Sequence, residues 1–158
     1  MRILLCNDDG IYAPGLAALY RALRDVGEVT VVAPDSEQSG AGHSITVSTP
    51  LHFRACGQAG FERAYAVNGT PADCIKLAMN VILKQRPDVI ASGINLGSNA
   101  GVSVLYSGTI SAATEGALSG IPSMAISLDA HVDPVWDTAA RVARLLLLRM
   151  LEHGLSDG

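Results

Sequence analysis

No stretch of this chain gathers lysines and arginines into a stripe. The 158 residues carry 11 Lys and Arg against 15 Asp and Glu, a formal net charge of -4. That balance argues against a nucleic-acid polymer as partner, because tracking a phosphate backbone needs a basic surface. A small anionic substrate stays open, provided a cation or backbone N–H groups offset the repulsion. Cysteines are few: Cys6, Cys56 and Cys74, an odd number with no Cys-x-x-Cys spacing. This speaks against a disulfide framework and for a reducing compartment. Long apolar runs are missing too. "MRILLC" has no cleavage-site pattern, and "LLLL" at Leu145 to Leu148 is far too short for a bilayer. The expectation is a cytoplasmic protein with no membrane partner.

What is present alternates. Arg2 to Cys6 is a continuous apolar run and predicts a buried strand. Pro14 to Arg24 spaces Leu16, Leu19, Tyr20 and Leu23 as a helix, with Pro14 in its first turn. Gly27 follows, where a helix end often needs positive φ. Glu28 to Ala33 is a second strand, which completes a βαβ unit. A polar, Gly-rich loop runs from Pro34 to Ser44. Ile45 to Arg54 and Phe61 to Val67 are β-like and predict an antiparallel hairpin arm outside the main sheet. "NGTPADCIKLAMNVIL" opens a helix with Thr70 as N-cap, Pro71 at N1 and Asp73 at N3.

Pro87 to Ser92 is a third core strand, and a Gly- and Asn-rich loop spans Gly93 to Thr109. A helix over Ser111 to Leu118 and a strand over Ile121 to Leu128 follow. Thr138 to Glu152 is a last helix, stopped by Gly154 and apolar around most of its surface. Such a helix buries more than one stripe, either in an oligomer interface or beneath a continuing chain. Residues 1–158 thus read as a single α/β domain, Rossmann-like and doubly wound, with a mostly parallel sheet and a β-hairpin arm.

In an open parallel sheet, ligands bind beyond the carboxyl ends of the strands. Asp8 and Asp9 follow the first strand, the Ser36 to Ser44 loop the second, and the Gly93 to Thr109 loop the third. An Asp-Gly turn explains the two carboxylates without any ligand. The helical segment after Gly10 weakens the hairpin version of that turn. Adjacent carboxylates also repel, and a hard divalent cation such as Mg²⁺, Mn²⁺ or Ca²⁺ would remove that cost. In the third loop, Asn95 and Asn99 offer amide oxygens. Ser107, Gly108 and Thr109 place N–H groups and hydroxyls where a helix begins, an arrangement suited to phosphate. A helix cap needs only one such residue, and this loop offers more. The spacing is neither a Walker loop nor a dinucleotide fingerprint. His43 lies in the second loop and can face the site. His52, His131 and His153 have no ligand spacing, and Cys6 and Cys74 read as small buried apolar groups.

The stretches "NDDGIYAPG" (7–15), "VVAPDSEQSGAGHSIT" (31–46), "VNGTPADC" (67–74) and "SGINLGSNAG…YSGTISAATEG" (92–116) together resemble the SurE survival-protein family of metal-dependent 5'/3'-nucleotidases. The resemblance implies one divalent ion, Mg²⁺ or Mn²⁺, held by Asp8, Asp9, Ser39 and Asn95. It implies catalytic roles for Asp8 and Asp9, and phosphate contacts from Asn99, Ser107, Gly108 and Thr109. The implied reaction is phosphate release from nucleoside 5'- and 3'-monophosphates, with short-chain polyphosphate as a further substrate. The implied assembly is a homodimer or homotetramer. Where the family often has an acidic pair after Asn-Ala-Gly, this chain has Val102 and Ser103. The alternative expectation is a nucleotide or phosphate sensor with little catalysis. A dehydrogenase is disfavoured, since no Gly-x-Gly-x-x-Gly follows the first strand.

Overall fold

The computed structural model describes residues 1–57, 60–130 and 132–154. Its elements run β1 (Arg2–Cys6), α1 (Pro14–Leu23), β2 (Glu28–Pro34), β3 (Phe53–Ala55), β4 (Ala64–Val67), α2 (Pro71–Leu77), β5 (Val89–Leu96), α3 (Gly108–Leu118), β6 (Ser123–Leu128) and α4 (Trp136–His153). They build the mixed α/β fold expected, around one sheet of order β3-β4-β2-β1-β5-β6. All pairings are parallel except β3 with β4.

β1 lies at the centre of the sheet, and alternation along it decides both cores. Ile3 and Leu5 pack with Leu16, Leu19 and Leu23 of α1 and with Ala140, Ala143 and Leu147 of α4. Leu4 and Cys6 pack on the other face with Cys74 and Ile75 of α2 and Ala112 of α3. The strand reads as a continuous apolar run because both its faces are covered.

Several expected boundaries shift. The antiparallel pair exists, but it is no arm outside the sheet: β4 joins the main sheet by pairing in parallel with β2, and β3 forms the edge. The third strand does not stop at Ser92. A register irregularity between Ser92 and Asn95 lets β5 continue to Leu96, so Asn95 sits on a strand end rather than in a loop. α3 begins at Gly108, three residues early, because Ser107 is its cap. Gly27 does not adopt positive φ. It is a close-approach glycine instead, since a Cβ there would lie 2.5 Å from the Met1 carbonyl oxygen. Gly154 does end α4 with φ of +71°. α4 buries only Ala140, Ala143 and Leu147, and leaves Val142, Leu145 and Leu146 exposed. Cys6 and Cys74 are buried as expected, Cys56 is buried as well, and all three are free. Among the described residues, no helix is long and apolar enough to cross a membrane.

The α2 start carries the signals expected of it. Thr70 Oγ1 accepts from the Asp73 N–H at 3.2 Å, and Asp73 Oδ2 accepts from the Thr70 N–H at 2.9 Å. Asp73 also accepts from the Thr46 N–H and hydroxyl at 3.0 and 2.7 Å. Burial opposes its ionisation, yet the bonds from Thr46 and Thr70 outweigh it and hold the carboxyl below its usual range. Asp73→Ala therefore removes a capping box and a loop anchor together. It is expected to cost about 2 kcal/mol, read as a lower urea midpoint at unchanged slope.

Candidate functional site

β1 ends at Cys6, and the chain then turns sharply at the carboxyl edge of the sheet. Asn7 is fully buried and donates its amide N–H to the Gly10 carbonyl at 3.0 Å. Gly10 takes φ of +99°, a region most side chains avoid. That turn puts Asp8 and Asp9 at the edge of the sheet and sends the chain into α1.

Asp8 is only 5% exposed and lies against the start of α3. Thr109, fully buried, donates its hydroxyl to Asp8 Oδ1. A Cβ on Gly108 would come within 2.7 Å of Asp8 Cβ, so only glycine lets the carboxylate approach this closely. The backbone N–H groups of a helix's first turn have no partners within the helix, and they carry its positive end. Ser107 caps this turn by accepting from the Ile110 N–H at 3.2 Å. The capping residue, Ser107, is thus also one of the candidate phosphate-binding residues.

Asp9 is different. Burial, then the charge of Asp8, then that of Glu37, push its carboxyl up to about 6, while a backbone hydrogen bond from Leu96 pulls the other way. That bond ties Asp9 to the end of β5, one residue past Asn95. Asn95 donates its amide nitrogen to the carbonyls of Leu96 and Gly97 at 3.2 and 3.0 Å, so its side-chain nitrogen is committed locally. Ser39 is exposed and donates to Glu37 Oε1 at 2.5 Å. The same loop is docked to the turn after β1 by the Gln38 N–H on the Asp8 carbonyl at 2.8 Å. Among the described residues, no three His, Cys, Asp or Glu side chains gather as a metal group. The expected set is of another kind: two carboxylates with a hydroxyl and an amide oxygen.

The structure brings the segments of Asp8, Asp9, Ser39 and Asn95 to one edge, with Ser107, Gly108 and Thr109 beside Asp8. Asn99 stands further out. Its amide donates to Ser127 Oγ at 2.8 Å, and it lines a recess of about 280 Å³ that reaches Ile110 in the first turn of α3. Val102 and Ser103 lie exposed in a 3-10 turn over Gly101–Leu105.

Two features were not legible as site residues. Glu37 adds a third carboxylate whose charge reaches Asp9. Glu115 of α3 sits nearly buried between His43 and Lys76. Its signal was its oddity, a lone acid in "SAATEGAL", a helix otherwise built of small and apolar residues. His43 faces Glu115 rather than the carboxylates. His52 and His153 are exposed, and His131 lies outside the described residues.

The sequence profile of the family described as Survival protein SurE matches residues 3–158. The chain belongs to the SurE family. It is 54% identical over 155 residues to "5'-nucleotidase SurE" of Desulforudis audaxviator, a match covering 97% of this chain and 60% of that protein. It is 52% identical over 159 residues to the protein of the same name from Rhodopirellula baltica, covering all of this chain and 63% of the other. The fold matches the crystal structure of the SurE protein from Aquifex aeolicus with a TM-score of 0.91 and 42% identity, over 99% of this chain and 62% of that one. The chain thus spans about three fifths of the length of these SurE relatives.

Proposed function

We propose that this chain carries the catalytic centre of a divalent-cation-dependent 5'-nucleotidase, which releases phosphate from nucleoside monophosphates. The observation that carries this reading is Asp8 held against the capped start of α3, with Asp9 beside it at the end of β5. The relatives named 5'-nucleotidase SurE support the reaction class.

The donor set fits a hard cation. Asp8, Asp9, Ser39 and Asn95 offer only oxygen, which selects Mg²⁺ or Mn²⁺ over softer metals. Asn95 has its nitrogen engaged, which leaves Oδ1 as its donor. Thr109 holds Oδ1 of Asp8, and in this reading Oδ2 faces the cation. When bound, the cation supplies charge neutralisation and Lewis-acid polarisation of a phosphoryl oxygen.

The protein's own groups do the rest. Thr109 fixes Asp8 in one orientation. The N–H groups at Gly108 and Thr109, with Ser107 and Asn99, hold the remaining phosphate oxygens and stabilise charge that grows in the transition state. Asp9, whose carboxyl is pushed up by burial and the neighbouring charges of Asp8 and Glu37 in the cation-free protein, is the proton acceptor in this reading. Proposed in the same reading are activity on 3'-phosphates and short polyphosphate, a cytoplasmic location in keeping with three free cysteines, and a homodimer or homotetramer in keeping with the exposed apolar residues of α4.

The test is phosphate release from AMP and GMP by the purified chain with Mn²⁺ or Mg²⁺, and again after EDTA. Release that vanishes with EDTA and returns with excess cation is the expected result. Full activity in EDTA sinks the cation. Tight nucleotide binding with no release selects a sensor instead.

A further inference from the structure

The loop that carries Ser39 leaves Ser39 exposed and is anchored to the rest of the fold on either side of it. Before it, the Gln38 N–H bonds the Asp8 carbonyl at 2.8 Å. After it, the Gly42 N–H bonds the Tyr106 carbonyl at 3.0 Å. Between these anchors lie Ser39, Gly40 and Ala41, with Gly40 and Gly42 both at positive φ. Between them the Ala41 N–H bonds the Gln38 carbonyl at 3.2 Å and closes a turn over Ser39 and Gly40, so the position of this turn depends on how its two ends are anchored.

One side chain closes the far end. His43 Nε2 lies 2.7 Å from Glu115 Oε1, across 72 positions of sequence. Lys76 of α2 pairs with the other oxygen, Oε2, at 2.9 Å. Burial opposes ionisation of Glu115, but its bonds to Lys76 and His43 outweigh that and hold its carboxyl below the usual range. Glu115 stands on α3, the helix whose first turn grips Asp8. The clamp and the cradle are therefore parts of one rigid element. A position set on Glu115 is set relative to Asp8.

We propose that His43 and Glu115, with Lys76 as counter-charge, form a clamp that positions Ser39 toward Asp8 and so raises the affinity of the cation site. None of the three is a catalytic residue. They act through the loop, as outer partners orient the groups that bind an ion. The inference rests on the cation reading above and goes beyond it by assigning roles outside the resemblance.

The experiment compares wild type, His43→Ala and His43→Gln by Mn²⁺ titration, by kinetics at saturating Mn²⁺, and by hydrogen exchange at the Gly42 amide. The Gln amide nitrogen reaches about where Nε2 stands, so it restores a donor to Glu115 without a titrating ring. His43→Ala is expected to weaken Mn²⁺ binding by about tenfold and to speed exchange at Gly42, with kcat at saturation within about threefold. His43→Gln is expected to recover both affinity and protection. A purely structural role would lower the melting temperature without moving the Mn²⁺ constant, and that result overturns the proposal. So does a folded His43→Gln that behaves as His43→Ala. If wild type itself binds no Mn²⁺, the cation reading falls; the exchange at Gly42 then separately decides whether the clamp exists.

Discussion

Asp9→Asn is expected to lose phosphate release by at least ~100-fold, the scale of a missing proton acceptor, while making the cation-free protein more stable at pH 7. The second half follows from the raised pKa. A carboxyl whose folded value stands at about 6, against an ordinary 3.8, is welcome in the fold only while protonated. Its stabilising contribution is complete below pH 3.8 and is lost as pH rises through 6. Above that, the ionised group is a liability of at most ~3 kcal/mol, at ~1.4 kcal/mol per unit. Asp9 is only half-buried, so solvent screening reduces this to ~1–2 kcal/mol. Asn keeps the shape and drops the charge. Its gain in urea midpoint at pH 7 should shrink on acidification and vanish below pH 3.8. A gain that does not change with pH would mean that charge is not its source. Saturating cation should reverse the order, since wild type alone then gains binding energy.

Gly15→Ala is expected to be the most damaging single methyl in the chain. The added Cβ would sit 2.0 Å from the Ile94 carbonyl oxygen and 2.8 Å from the Trp136 ring. The first contact is backbone, which no rotamer change relieves. Either α1 moves off the sheet or β5 shifts at its register irregularity, one residue before Asn95. The cost is about 3 kcal/mol, the upper range for overpacking. Cation affinity should fall with it, because the displaced strand end carries Asn95 and the Leu96 N–H that Asp9 uses. Stability lost with cation affinity intact would show that α1, not β5, had yielded.

How far the sequence reached depends on distance along the chain. β1, α1, β2 and the Thr70–Asp73 capping box were legible because their signals are local: an apolar run, a 3.6-residue spacing, a cap three residues from its partner. The places of the two aspartates after a strand and of Ser107 before a helix were legible because those boundaries have local signals. β4 was misplaced for the opposite reason. Nothing in "AYAV" says that its partner is β2, some thirty residues earlier. The continuation of β5 past Gly93 was hidden because the glycine reads as a break. Gly93 instead takes φ of +129° and lies close to the Ile126 carbonyl, at the register irregularity within the strand. Glu115 was missed because its partners, Lys76 and His43, come from two other segments.

The order of strands has a consequence for how the protein is made. Asp8 and Asp9 follow the strand that ends up at the centre of the sheet, and they are synthesised before β5 and α3, which later surround them. One flank of β1 is closed early by β2. The other stays an open edge until β5 has been synthesised, and the carboxylates lack their helix until α3 has docked. Pairings so distant are slow to close, and an unpaired central strand invites association with other chains meanwhile. The two carboxylates therefore wait for segments made some ninety to a hundred residues later before their surroundings are complete.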